Sequence, residues 1–111
     1  MSPRIALALV LLAVPVSLNA QTAASPGEAV AFDRAKGNCL ACHTIRGGDV
    51  PSNVGPELAD MKARFPNRDD LVAILKNEQE RNPQTVMPLF GRNLILDDHE
   101  INHIVDFLYT L

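Results

Sequence analysis

Two cysteines and a histidine stand together in the run Cys39-Leu40-Ala41-Cys42-His43. C-x-x-C-H is the attachment signature for a c-type haem. Two thiols three positions apart on one helical turn can each add across a vinyl group of the same porphyrin. The imidazole of His43 then falls beneath the iron as its proximal ligand. The other chemistry open to these residues is a dithiol redox pair. That reading calls for a βαβ pattern around the motif, and the chain shows no strand alternation.

An iron that only carries electrons needs a sixth ligand, and Met61, Met87, His99 and His103 are the candidates. Met87 is preferred. It sits in Thr85-Val86-Met87-Pro88, a loop well C-terminal to the haem motif. Such a loop can cross the iron face opposite His43, and Pro88, which lacks an N–H, stiffens it. Met61 falls in a short helical stretch, where a lone Met is expected as core filling. His99 and His103 share a helical face at a spacing that can hold a metal. No free cysteine or third histidine is left to complete such a site, so both are expected in solvent. Gly55-Pro56 has two readings. Its carbonyl can accept a hydrogen bond from the second ring nitrogen of His43 and fix the ring, or the pair is a simple turn.

The elements that must position these residues read as helices and loops. Ser25-Pro26-Gly27-Glu28 resembles a capping box with proline at the first helical position. The helix it opens is expected to run to Ala35 and stop at Gly37-Asn38. Residues 44 to 56 form a Gly/Pro-rich loop, and a short helix fits Glu57 to Arg64. Asn67-Arg68-Asp69-Asp70 starts another helix, with Leu71, Val72, Ile74 and Leu75 at helical spacing. Asn82 to Asn93 is a loop broken by Pro83 and Pro88. Asp97-Asp98-His99-Glu100 then caps a terminal helix whose inner face carries Ile101, Ile104, Val105 and Leu108.

Composition bounds the rest. Met-Ser-Pro-Arg followed by the apolar run Ile5 to Val16 and small residues up to Ala20 reads as a secretory signal peptide, residues 1–20. Cleavage is expected after Ala20, with Ala23 and Ala24 as the alternatives. The run is shorter than the roughly 20 apolar residues a bilayer span requires, so no membrane span is expected once it is cut; an uncleaved anchor is the alternative. Export would carry residues 21–111, a single domain, to the periplasm. Arg4 is the one charged residue in the leader, so the domain is one unit more acidic than the −3 of the whole chain. That excludes nucleic acid as a partner class. A domain with no Trp, one Tyr and four Phe has little core to bury. Its two cysteines are both in the motif, so a covalently held macrocycle, one haem c, takes the place of disulfides.

In order of elements the domain looks like a small monohaem class I cytochrome c, an all-α fold wrapped around one covalent haem. In detail it resembles the SoxX family, the small cytochrome subunit of the bacterial SoxAX complex. The resemblance rests on Ala31-Phe32-Asp33-Arg34-Ala35-Lys36-Gly37-Asn38 leading into the haem motif, and on Asn53-Val54-Gly55-Pro56. It rests equally on Asn82 to Arg92 and on the ending Ile104-Val105-Asp106-Phe107-Leu108-Tyr109. It implies Cys39 and Cys42 as covalent attachments and His43 and Met87 as axial ligands. It also implies a heterodimer with a SoxA-like subunit carrying one or two haems, of which the catalytic one has a cysteine-derived ligand. Thiosulfate would be joined oxidatively to a cysteine of SoxY in the SoxYZ carrier, the work of an L-cysteine S-thiosulfotransferase. The present chain would accept the electrons and pass them to a downstream cytochrome. With no third cysteine it offers no catalytic thiol of its own. His/Met ligation favours the reduced state over bis-imidazole ligation. One departure from general cytochrome c patterns is Ala35, where an aromatic residue is usual; the aromatic here is Phe32. Alternatives are a free-standing electron shuttle, whose contact surface would be smaller, and an open-iron peroxidase or gas sensor, which requires that Met87 not bind.

Overall fold

The computed structural model describes residues 1, 3, 13–16 and 22–111. The expected signal peptide, residues 1–20, lies mostly outside the described residues. Among those described, four α-helices form: α1 (Pro26–Phe32), α2 (Met61–Arg64), α3 (Arg68–Asn77) and α4 (Asp98–Leu108), with 3-10 turns at Cys39–Ala41 and Glu78–Glu80. The only β pairing there is an isolated parallel bridge between Ile45 and Leu58. The fold is all-α, as expected. No helix among the described residues is long and apolar enough to cross a membrane.

Each helix start follows its capping chemistry. The Ser25 side chain accepts from the Glu28 N–H at 3.2 Å, and Asn67 accepts from the Asp69 N–H at 3.2 Å. At α4 the box is complete: Asp97 accepts from the Glu100 N–H at 2.8 Å, and the Glu100 carboxylate accepts from the Asp97 N–H at 3.1 Å. Two helices are shorter than their sequence suggests. α1 stops at Phe32 rather than Ala35, because the Asp33 carboxylate takes the Ala35 N–H at 2.7 Å, a local bond that competes with the helix. α2 begins at Met61 rather than Glu57. The Leu58 N–H is drawn to the Thr44 carbonyl at 3.0 Å, and Asp60 takes a left-handed φ of 52°.

The first and last helices cross closely enough to define the scaffold. A Cβ at Gly27 would lie 1.8 Å from the His103 carbonyl oxygen, so only glycine fits at the contact. Phe32 meets Phe107 edge to face, with ring centroids 5.7 Å apart. This contact supplies the aromatic pairing that Ala35 cannot. Ile101, Ile104 and Val105 of α4 are fully buried, each worth about 1.5–3 kcal/mol of burial. α3 packs beside α4 through Leu71 and Leu75, with Arg68 donating to the Asn102 side chain at 2.6 Å and to Asp106 at 2.7 Å. Between this framework and the two long loops a cavity is left.

Candidate haem site

Asn38 enters the left-handed region, φ 47°, and turns the chain into the 3-10 helix at Cys39. The N–H groups of Cys42 and His43 both donate to the Cys39 carbonyl, at 3.2 and 2.9 Å. One tight turn therefore carries both thiols and the imidazole, the arrangement the motif requires. All three side chains line a cavity of about 630 Å³.

The imidazole is held from behind. Its Nδ1 lies 2.6 Å from the Pro56 carbonyl oxygen. A carbonyl can only accept, so Nδ1 donates, and the lone pair is left on Nε2. Gly55 backs the ring: a Cβ there would stand 2.5 Å from His43 Cε1. The Gly55 N–H is tied to the Cys42 carbonyl at 2.7 Å. Of the two readings of Gly55-Pro56, the structure selects the hydrogen-bonded one. The same loop is pinned by the Thr44 hydroxyl, which donates to the Ser52 carbonyl at 2.9 Å and accepts from the Ser52 N–H at 3.0 Å.

Burial pushes the Cys39 thiol up to about 11. At neutral pH it is a protonated thiol, the reverse of what a dithiol oxidoreductase needs. No disulfide joins it to Cys42.

Met87 lines the same cavity from the loop beyond α3. Its N–H donates to the Thr85 hydroxyl at 3.1 Å, and the Thr85 N–H to the Asn82 carbonyl at 3.0 Å. Met61 also borders the cavity but is core, 2% exposed, and its sulfur accepts from an Arg64 Nη1 at 3.4 Å. His99 is exposed and His103 half-buried, their rings 5.7 Å apart, and neither lines the cavity. No group of three potential metal ligands occurs among the described residues. The four residues singled out from the sequence thus converge; Met61 borders the same cavity as core, and the two histidines stand apart from it, His103 more buried than its place in the sequence suggests.

The remaining wall suits a large, mainly apolar disc with charged edges. Leu58, Leu71, Leu75, Phe90, Ile104 and Leu108 supply the apolar lining, and the cations Arg34, Lys36, Arg64 and Arg81 stand on its edge. Phe90 is 4% exposed; it covers the cavity rather than forming an outer interface. Lys36 is bonded to Glu100, which holds the Lys36 ammonium above its ordinary value and Glu100 below its own. This pair ties the segment before the motif to the start of α4. Thiols, imidazole, thioether and apolar walls together fit a covalently attached haem.

Sequence reasoning missed one part of the wall. Glu78, in the turn after α3, is buried, and Arg81 donates to it from Nη2 at 2.7 Å and from Nε at 3.1 Å. The guanidinium of Arg81 and that of Arg64 both lie over Phe65, 5.9 and 5.8 Å from its centroid. Glu78 caps the C-terminus of α3, one turn beyond Leu71, Ile74 and Leu75 on the same face; the helical period reaches its position, but a carboxylate at a helix end reads as solvated.

A family model for cytochrome c matches residues 24–111. No curated protein matches the chain. Among solved structures, SoxXA from P. pantotrophus is similar: 26% identity over 77% of this chain and 78% of that one, with a TM-score of 0.68. Family, fold and cavity agree, and the chain belongs to the cytochrome c family, electron carriers with covalently bound haem c.

Proposed function

We propose that this chain is a SoxX-like electron-transfer subunit carrying one haem, exported to the periplasm after removal of residues 1–20. In this reading Cys39 and Cys42 form the thioether links, and His43 and Met87 are the axial ligands. The observation that carries it is the convergence of these four side chains on one cavity, with the His43 ring already locked to Pro56. Likeness to SoxXA supports a SoxA-like partner.

Bound here, haem supplies a one-electron centre that alternates between ferric and ferrous iron. The residues do the rest. The bond from His43 Nδ1 to Pro56 fixes the ring and, in the neutral imidazole, leaves Nε2 as the nitrogen with the lone pair. Thr85 and Pro88 hold the Met87 loop, and Phe90 and Leu108 exclude water from the apolar wall. Joining thiosulfate to the SoxY cysteine thiolate forms one sulfur–sulfur bond and releases two electrons. The partner's catalytic site would perform that step, and this chain would take the electrons one at a time toward a downstream cytochrome. Exposed Val54 and Val86 at the cavity rim leave a surface for close approach of a redox partner.

Reconstitution with the cognate SoxA-like chain and the SoxYZ carrier tests the reading. Thiosulfate is expected to reduce the haem of this chain only when all are present, and the two cytochromes are expected to co-elute. A protein that stays monomeric beside that partner, yet exchanges electrons with membrane complexes, is a free-standing shuttle instead.

A further inference from the structure

Glu78 is the one charged side chain that is buried among the described residues, at 5% exposed. It lies in the wall of the cavity that holds Cys39, Cys42, His43 and Met87. Its place is fixed by the backbone: the N–H groups of Arg81 and Asn82 donate to the Glu78 carbonyl at 3.1 and 2.8 Å. Arg81 neutralises it only in part. The Glu78 side chain is 7% exposed whereas that of Arg81 is 62% exposed. Water therefore screens the guanidinium far more than the carboxylate. A charge buried against an apolar cavity acts across it with little screening, while an exposed one is damped by solvent. The other ionic side chains on this wall, Arg34, Lys36 and Arg64, are all exposed. The field inside the cavity is then weighted toward Glu78.

We propose that Glu78 tunes the haem: its buried carboxylate favours the ferric over the ferrous state and holds the midpoint potential below the value that His/Met ligation alone would give. The proposal rests on the reading that haem fills this cavity. Burial, charge and hydrogen bonding around the centre are the levers by which a protein sets such potentials. A chain that must accept electrons from one partner and release them to another needs a potential between theirs, and a buried charge fixes one without altering the ligands.

Spectroelectrochemical titration of the holoprotein at neutral pH tests this, with E78Q compared against wild type and against E80Q. Glu80 is close in sequence but exposed, so E80Q removes the same charge from a screened position. E78Q is expected to raise the midpoint potential by clearly more than E80Q does, with the long-wavelength Met-to-iron band intact. If E78Q disturbs that band, the titrations are repeated with every protein saturated with imidazole, so that the sixth ligand is common to all. A shift in E78Q no greater than in E80Q overturns the proposal. Absence of haem from the wild type in the alkaline pyridine spectrum would instead overturn the cavity reading itself.

Discussion

The two sides of the cavity are built differently. On the Cys39–Pro56 side the His43 ring is held from several directions at once, by a short turn, a carbonyl on Nδ1, a glycine against its face, and bonds from Gly55 and Ser52 that close the loop. On the Met87 side one hydrogen bond, donated by the Met87 N–H to the Thr85 hydroxyl, and two prolines hold an irregular loop. The difference matches the ligands proposed. Imidazole binds iron strongly but only in one ring orientation, so its scaffold must fix a plane. A thioether is a weak, adaptable donor, so its scaffold need only keep it near.

That contrast is broken most severely on the tight side. His43→Ala is expected to abolish nearly all holoprotein, read as the haem signal in an alkaline pyridine spectrum per mole of chain; recovery near wild type would remove His43 from its proposed role. Gly55→Ala comes next. The new methyl would stand 2.5 Å from Cε1 and 2.8 Å from Nδ1 of a ring that is already bonded to Pro56. Overpacking of this kind costs about 1–3 kcal/mol. A lowered Tm of the holoprotein together with a shifted Soret band is expected, and an unchanged protein would show that the ring is free to move.

The same contrast governs what could be read from the residues. The tight side is nearly all local, so Cys39, Cys42 and His43 announce themselves by spacing, while Gly55-Pro56 is marked only as one of two alternatives until its carbonyl is seen on His43. Met87 is marked only by its loop and by Pro88 beside it, among four candidates, because its approach depends on how that loop folds back over distant helices. The end of α1 and the start of α2 depart from their propensity for similar reasons. Asp33 diverts a backbone donor through its own side chain, and Leu58 is captured by Thr44 across the loop. Propensity along the chain registers neither. Glu78 stands at the C-terminus of α3, where a carboxylate is ordinarily solvated, and its burial depends on how the chain beyond the helix folds against the cavity.

On the loose side the effect is expected to be smaller and of another kind. Met87→Ala should keep haem attached through Cys39 and Cys42, while the long-wavelength Met-to-iron band disappears and the midpoint potential falls. Persistence of that band would assign the sixth position to another residue. Loss of haem as severe as in His43→Ala would mean that the two sides are equally required, and the contrast would fail.

The smallest effect lies in the brace behind the tight side, where Lys36 before the motif meets Glu100 at the start of α4. Glu100 has a folded-state pKa below its ordinary value, chiefly through its hydrogen bond to Lys36 and then through the Asp97 N–H. A carboxylate lowered in this way adds stability above its unfolded pKa of about 4.3 and loses it as pH falls through the folded value. Lys36 is raised, so its share is present below about 10.4 and lost as pH rises through its own folded value. Between those limits the brace is intact. Lys36 is exposed and Glu100 half-buried, and salt should weaken the pair. Glu100→Gln retains an oxygen for the Asp97 N–H while removing the charge. Urea denaturation between neutral pH and about pH 3 should therefore show a shallower acid loss in Glu100→Gln than in wild type. The haem spectrum at neutral pH should not change, since the brace touches neither His43 nor Met87. Parallel acid limbs in the two proteins would mean that the pair contributes nothing, leaving the segment before the motif held to α4 by the α1–α4 packing at Gly27 and Phe32.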